Sequence, residues 1–165
     1  MIQQLEKNIV TSEAQVLLCT VNCVGVMGKG LALSFRDSFP KLAGPYRSDC
    51  VHNQIHPGNL YGYLEDGKHF YPNSTTKLPK RLLILASTKN DWRNASKHEW
   101  ISSILLKLVE KGNSLGFTSI SMPIMGTGNG WLPRQAMLDL HLMVLAKANF
   151  DVELCTWHET ASNQF

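Results

Sequence analysis

Apolar residues fall into short continuous runs that alternate with longer stretches of amphipathic spacing. The runs Gln15–Val21, Leu82–Thr88 and Thr118–Ile124 are largely apolar and partly β-branched, which is typical of strands covered on both faces. Between them, apolar residues recur every three or four positions, as on helices that pack one side against a sheet. We therefore predict a single α/β domain over residues 1–165, with a central mixed sheet between two layers of helices.

Turn and cap signals predict where these elements begin and end. In the helix after the second long strand, Ser96 and Glu99 have the spacing of a capping box, and Gly112 is the expected end. Asp66 and Gly67, between the runs Asn59–Leu64 and Lys68–Tyr71, predict a hairpin. The other predicted elements are strands at Ile2–Glu6 and Asp151–Trp157, and helices from Gly30 to Pro40, over Leu42–Val51 and from Pro133 to about Asn149.

Two glycine-rich loops each follow a predicted strand and open onto a predicted helix. Residues 22–30 read NCVGVMGKG, and residues 125–131 read MGTGNGW. Such loops present unpaired backbone N–H groups and the positive end of a helix dipole, an arrangement that favours phosphate. The first loop fits neither the dinucleotide-binding fingerprint nor a Walker A loop, because its glycines run GxxGxG and Lys29 precedes Gly30. Taken alone, it could instead serve only strand-to-helix packing.

The two loops should nevertheless lie close together. The carboxyl ends of central strands meet at one edge of the sheet, so both loops and the segment Lys89–Arg93 are expected to line one cleft. Two glycine loops that face each other could hold a diphosphate from opposite sides. Together they predict a site for a nucleotide diphosphate.

Composition restricts the class of protein. The formal net charge of +3 tolerates a polyanionic partner without requiring one. We expect a cytoplasmic protein, because the N-terminal residues lack a signal-peptide pattern and no apolar run is long enough to span a membrane. A monomer is also expected, although no sequence feature decides the oligomeric state. No metal site or cofactor is predicted, since Pro57 and Gly58 place His52 and His56 in a loop without a third ligand. Reduced thiols are expected at the cysteines, which form no CxxC pair: Cys19, Cys23, Cys50 and Cys155.

Three motifs give the chain a family resemblance. The runs TVNCVGVMGKGLALSFRDSFP, TKNDWR and PIMGTGNGWLP resemble those of macrodomains, and most closely those of DarG-type DNA ADP-ribosyl glycohydrolases. Those enzymes are antitoxins that reverse the ADP-ribosylation of DNA by DarT toxins. The resemblance extends from Ile2 to about Trp157. It implies a three-layer α/β/α macrodomain, an ADP-ribose cleft, and removal of ADP-ribose from thymidine in single-stranded DNA.

The resemblance also implies roles for individual residues. Lys89 matches the catalytic lysine, and Asn22 matches the asparagine whose amide holds the distal ribose. Trp92 and Arg93 match neighbours that shape the pocket for the modified base. The full set of residues expected to contact ADP-ribose is Asn8, Ile9, Asn22, Cys23, Val26, Gly28, Lys29, Gly30, Thr88, Trp92, Arg93, Gly126, Thr127, Gly128, Asn129, Gly130, Trp131 and Trp157.

The chain departs from the family pattern in two places. Lys7 and Asn8 replace a Gly-Asp pair whose acid receives the adenine amino group; an asparagine carbonyl could still accept that hydrogen bond without charge assistance. Gly130 stands where the related human enzyme type has an aspartate. The lysine–aspartate pair of that type is therefore absent, and Lys89 is expected to act without it.

The chemistry implied is cleavage at C1″ of the distal ribose through an oxocarbenium-like transition state. Lys89 could attack C1″ as a neutral amine, or donate a proton to the leaving group as an ammonium, and the sequence leaves both roles open. Partial burial and a nearby cation such as Arg93 would lower its pKa and favour attack. The alternative for Lys89 is a solvated loop lysine.

Other residues are weaker candidates. Cys23 has no histidine beside it and is expected to be a small residue lining its loop. His98 and His141 are expected at helix surfaces or boundaries. Trp131 is expected to cover the second loop, and Trp157 could either stack on adenine or cap the edge of the core. A cluster of basic residues suits either a DNA backbone or a solvated rim: Lys77, Lys80, Arg81, Lys89, Arg93 and Lys97.

Two other functions stay open at this stage. One is a non-catalytic reader of ADP-ribose. The other is a hydrolase acting on ADP-ribose 1″-phosphate, O-acetyl-ADP-ribose or protein-linked ADP-ribose. In DarG proteins, a further C-terminal domain engages the toxin. The resemblance found here is to the macrodomain, so it implies a functional link to a DarT-like toxin without implying direct binding.

Overall fold

A six-stranded sheet forms the centre of the molecule. The computed structural model describes residues 1–73 and 75–156. The strands are β1 (Ile2–Glu6), β2 (Val16–Val21), β3 (Leu60–Tyr63), β4 (Leu82–Ser87), β5 (Ser119–Pro123) and β6 (Asp151–Thr156). The helices are α1 (Gly30–Ser38), α2 (Ala43–Val51), α3 (His98–Leu115) and α4 (Arg134–Leu145), with 3-10 turns at Ile9–Thr11 and Gly128–Gly130.

The strand order is β1-β6-β5-β2-β4-β3, and the sheet is mixed as predicted. All neighbouring strands are parallel except β3, which is antiparallel to β4. Strand β2 lies between β4 and β5, with Val16 opposite both Leu82 and Ile120. The carboxyl ends of β5, β2 and β4 are therefore neighbours at one edge of the sheet.

Alternate residues of the central strands face opposite layers of helices, which confirms the three-layer architecture. On one face, Val16 and Leu18 belong to a core completed by the apolar stripes of α3 and α4. On the other face, Leu17 and Cys19 belong to a core completed by Phe35 of α1, Tyr46 of α2 and Leu42, which directly precedes α2. No described helix has the length and apolar content needed to cross a membrane.

Both predicted ends of α3 were wrong. The N-cap is Lys97, which makes no capping side-chain hydrogen bond, so Ser96 lies outside the helix and forms no capping box. The helix continues through Gly112 to a left-handed C-cap at Gly116, whose φ is +78°. Gly112 serves packing instead, because a Cβ there would lie 2.4 Å from Cε1 of Phe150.

The predicted hairpin forms only in part. Its turn is present, with the Gly67 N–H donating to the Leu64 carbonyl at 2.9 Å. The return run, however, contributes an isolated bridge between Tyr63 and His69 and no regular strand. The backbone of β3 instead pairs along its length with β4. Helix α4 also ends earlier than expected, at Leu145.

Candidate active site

A cavity of about 770 Å³ opens at the carboxyl ends of β2, β4 and β5. Its size lies in the range typical of small-molecule sites. The three segments predicted to meet there do so. The predicted ligand contacts in its wall are Asn22, Val26, Gly28, Lys29, Gly30, Thr88, Lys89, Trp92, Arg93, Gly126, Thr127, Gly128, Asn129, Gly130 and Trp131.

Asn22 organises the first glycine loop. Its side-chain oxygen accepts hydrogen bonds from the backbone N–H groups of Val24, Gly25 and Val26 at 3.1, 3.0 and 3.3 Å. The hydroxyl of buried Tyr46 adds a further hydrogen bond to that oxygen at 2.9 Å. One Nδ2 hydrogen of Asn22 donates to the Val26 carbonyl at 2.9 Å. The acceptor of this amide is therefore used within the loop, and a ligand would meet its second N–H.

Lys89 is buried in the wall of the cavity, with 8% of its surface exposed. Its Nζ donates to the Trp92 carbonyl at 3.3 Å and lies 5.0 Å from the ring centroid of Trp131. Burial, and next the positive charge of Lys29, lower the pKa of Lys89 below its usual value, while Asp91 acts in the opposite direction. The lysine is thus poised to lose its proton more readily than a solvated lysine.

The cation that acts on Lys89 is Lys29, and the prediction that named Arg93 for this effect was wrong. Arg93 is paired with Asp91: its Nε donates to Oδ1 at 2.9 Å and its Nη2 to Oδ2 at 2.7 Å. This bidentate pairing offsets the charge of Arg93 near the lysine.

Two largely exposed tryptophans stand at the mouth of the cavity. Trp92 is 53% exposed and Trp131 is 66% exposed, although both are large apolar residues. Trp131 also adopts a left-handed backbone conformation, with φ of +59°, which is uncommon for a bulky side chain. This conformation accompanies the placement of its ring over Lys89.

His141 fixes the start of the second glycine loop and is fully buried, so its expected surface or boundary location was wrong. Its Nε2 accepts from the Met125 N–H at 2.9 Å, and its Nδ1 donates to the Met137 carbonyl at 2.6 Å. Burial lowers the pKa of His141 to about 4, so the ring is neutral near pH 7. A sequence signal existed, because residue 141 falls on the buried stripe of α4 with Leu140 and Val144.

The cavity wall is cationic. The described residues that line it include the basic residues Lys29, Lys89, Arg93 and Arg134 and no carboxylate. Arg134, which was not among the residues predicted from sequence, is exposed and begins α4 directly after the second loop. A cleft of this kind favours a ligand with several negative charges. Of the predicted basic cluster, Lys89 and Arg93 lie in this wall, whereas Arg81 donates to the Ser12 carbonyl at 3.0 Å.

Three predicted contact residues lie outside the described cavity wall. Asn8 caps the first 3-10 turn, its side chain accepting from the Val10 N–H at 3.3 Å. Ile9 is completely buried in the core. The Cys23 thiol donates to the Lys89 carbonyl at 3.3 Å, and burial raises its pKa to about 12, which disfavours a nucleophilic role. Trp157 lies outside the described residues.

Comparisons with known proteins give a consistent relationship. A DNA ADP-ribosyl glycohydrolase of Thermus aquaticus is 34% identical over 133 residues, covering 81% of this chain and 34% of that protein. The macrodomain of Mycobacterium tuberculosis DarG superimposes with a TM-score of 0.80 at 27% identity, covering 94% of this chain and 97% of that one. Thermosipho africanus DarTG in complex with ADP-ribose also gives 0.80, at 27% identity, with coverages of 96% and 42%.

The chain spans about a third of the length of the curated glycohydrolases it matches. The Macro domain family model matches residues 19–140 of this chain. That span contains both glycine loops and Lys89. This protein therefore belongs to the macro domain family.

Proposed function

We propose that this domain binds ADP-ribose and removes it from ADP-ribosylated DNA by a reaction that depends on Lys89. The observation that carries the proposal is the buried Lys89, held between two glycine loops in a cleft whose described wall contains no carboxylate. Its lowered pKa and its place at the carboxyl end of β4 support a catalytic role. A reader of ADP-ribose would gain little from a desolvated amine at this point.

The diphosphate is proposed to lie between the two glycine loops. Backbone N–H groups of 28–29 and 126–129 meet the phosphate oxygens, and the N-terminus of α1 at Gly30 adds its dipole. Lys29 and Arg134 contribute positive charge from the two sides of the cleft. The free N–H of the Asn22 amide is left to donate to a ribose hydroxyl. Asn22 thereby has two duties, since it also shapes the loop.

In the proposed reaction, Lys89 acts as a neutral amine. Its lone pair forms a bond to C1″ while the bond from C1″ to the base nitrogen breaks, and the electron pair of that bond goes to the base, which takes up a proton. Water then hydrolyses the lysine adduct, releasing ADP-ribose and regenerating the amine. The burial and the Lys29 charge that lower the pKa of Lys89 support this role over proton donation by an ammonium group.

A single-stranded DNA substrate suits the mouth of the cleft. Exposed Trp92 and Trp131 offer flat faces on which bases can stack, and the cationic wall suits a polyanion. A base in a duplex would have to leave its stack to bring C1″ to Lys89, whereas an unpaired base is already accessible. The relatives named DNA ADP-ribosyl glycohydrolase support this substrate class, and thymidine is the proposed modified base.

The proposed cellular role also rests on similarity to known proteins. Similarity to a DarTG protein supports a functional link to a DarT-like toxin that modifies DNA. We propose that the domain acts as the reversing partner of such a toxin, as a cytoplasmic monomer.

A substrate panel tests the proposal. Release of ADP-ribose is measured from a thymidine-modified single-stranded oligonucleotide, a glutamate-ester-linked peptide and ADP-ribose 1″-phosphate. The proposal predicts turnover of the oligonucleotide at least tenfold above the other two. Equal turnover of all three would contradict DNA specificity, and tight ADP-ribose binding without any turnover would establish a reader.

A further inference from the structure

The hydroxyl of Ser96 stands out in the cavity wall because it is buried without a hydrogen-bond partner among the described residues. Ser96 is 4% exposed, and its backbone N–H donates to the Gly130 carbonyl at 3.0 Å. Leaving a buried hydroxyl unpaired is unfavourable for the folded protein, and most such groups in proteins are satisfied. At a ligand cleft, a bound ligand can supply the hydrogen-bond partner that such a hydroxyl lacks.

The hydroxyl of Ser96 lies beside the part of the second glycine loop that is next to Lys89. A Cβ on Gly130 would lie 2.8 Å from the Ser96 oxygen, so the absence of a side chain at residue 130 leaves room for the hydroxyl. The next residue, Trp131, places its ring over the amine of Lys89. Ser96 thus lies directly behind the part of the second loop that covers the catalytic lysine.

We propose that Ser96 is a further substrate-binding residue, whose hydroxyl pairs with a hydroxyl group of the distal ribose. The inference rests on the proposed function, in which Lys89 acts at C1″ of that sugar. The phosphates already have the backbone N–H groups of both loops as donors, whereas a sugar hydroxyl both donates and accepts, as a serine hydroxyl does. The contact extends the set of ribose-binding groups beyond Asn22.

Contact with the ligand requires the turn Gly128–Gly130 to move, because Gly130 shields the serine oxygen in the free protein. Gly128 in this turn has φ of +59° and no atom within 4 Å of the position of a Cβ, so packing at that residue does not oppose a shift of the turn. The hydroxyl therefore gains its partner when the turn adjusts to the bound sugar, and the free energy of that new hydrogen bond favours the bound state.

The test is Ser96→Ala, with binding of ADP-ribose and of ADP, which lacks the distal ribose, measured by calorimetry beside thermal unfolding of the free protein. We expect affinity for ADP-ribose to fall about tenfold, the effect of one lost hydrogen bond in a buried site, with affinity for ADP unchanged. The Tm of the free protein should stay the same or rise, because the substitution removes an unpaired hydroxyl.

Ser103→Ala is the matched control. The Ser103 hydroxyl donates to the Gly58 carbonyl at 2.9 Å, away from the cavity, so its loss should lower the Tm and leave both affinities unchanged. Three results for Ser96→Ala would overturn the inference: unchanged ADP-ribose affinity, equal weakening of ADP and ADP-ribose, or a Tm drop like that of the control. If wild type failed to bind ADP-ribose, the proposed function would fall first and the inference with it.

Discussion

Acid should destabilise this protein through His141, which the fold holds in its neutral form. The pKa of a histidine is ordinarily near 6.5, and burial lowers that of His141 to about 4. Between these values the unfolded chain binds a proton at this ring and the native protein does not, so stability falls as pH falls. The contribution of His141 is fully present above pH 6.5 and is lost as pH approaches 4.

The size of the effect follows from the shift. Each pKa unit corresponds to about 1.4 kcal/mol, so the total loss is about 3 kcal/mol, of which roughly 2 kcal/mol has gone by pH 5. The structural reason is that a protonated ring would present a second N–H to the Met125 N–H, which now donates to Nε2 at 2.9 Å. Protonation therefore also removes the hydrogen bond that anchors the second glycine loop.

The assay is urea unfolding at several pH values between 7.5 and 5 for wild type and His141→Gln. Glutamine cannot titrate, while its side-chain oxygen can still accept from a backbone N–H. The variant should be less stable at pH 7.5 but lose about 2 kcal/mol less than wild type on going to pH 5. Parallel stability curves for the two proteins, or a His141 imidazole resonance that titrates near pH 6.5, would show that burial does not keep this ring neutral.

Two further substitutions test the packing of α3 and the electrostatics of the cleft. Gly112→Ala should destabilise the fold by about 1–3 kcal/mol in urea unfolding, because the added Cβ meets Phe150 at 2.4 Å; a gain of about 1 kcal/mol, as helix propensity alone predicts, would contradict the packing. Lys29→Ala removes a charge that lowers the pKa of Lys89, so the rise of oligonucleotide turnover with pH should move to higher pH; an unshifted pH–rate profile would show that Lys29 does not act on Lys89.

Much of the fold could be predicted from sequence because burial on both faces leaves a strong local pattern. Val16–Val21 and Leu82–Ser87 are apolar runs of strand length, and their observed bounds lie within one residue of those predicted. The meeting of the two glycine loops with Lys89 was predictable as well, since the carboxyl ends of parallel strands share one edge. Local sequence and general topology are therefore enough to predict the central strands and the location of the cleft.

The missed features depend on contacts between segments distant in sequence. The role of Gly112 within α3 depends on Phe150, which lies in the chain well after that helix. Gly130 packs over the hydroxyl of Ser96, which has no hydrogen-bond partner within the part of the chain that the structure describes. The pairing of Arg93 with Asp91 could have been predicted, because the two residues are close in sequence. The effect of Lys29 on the pKa of Lys89 could not, because it depends on how the fold brings the two lysines together.

Lys89 is the residue proposed to carry out the chemistry. The most direct measurement is single-turnover release of ADP-ribose from a thymidine-modified single-stranded oligonucleotide by wild type and Lys89→Ala, at enzyme concentrations that saturate binding for both. If Lys89 is the nucleophile, the variant retains ADP-ribose affinity within a few-fold and loses at least a hundredfold in the rate of release. Release by the variant at the wild-type rate, with binding intact, would show that Lys89 takes no part in the chemistry.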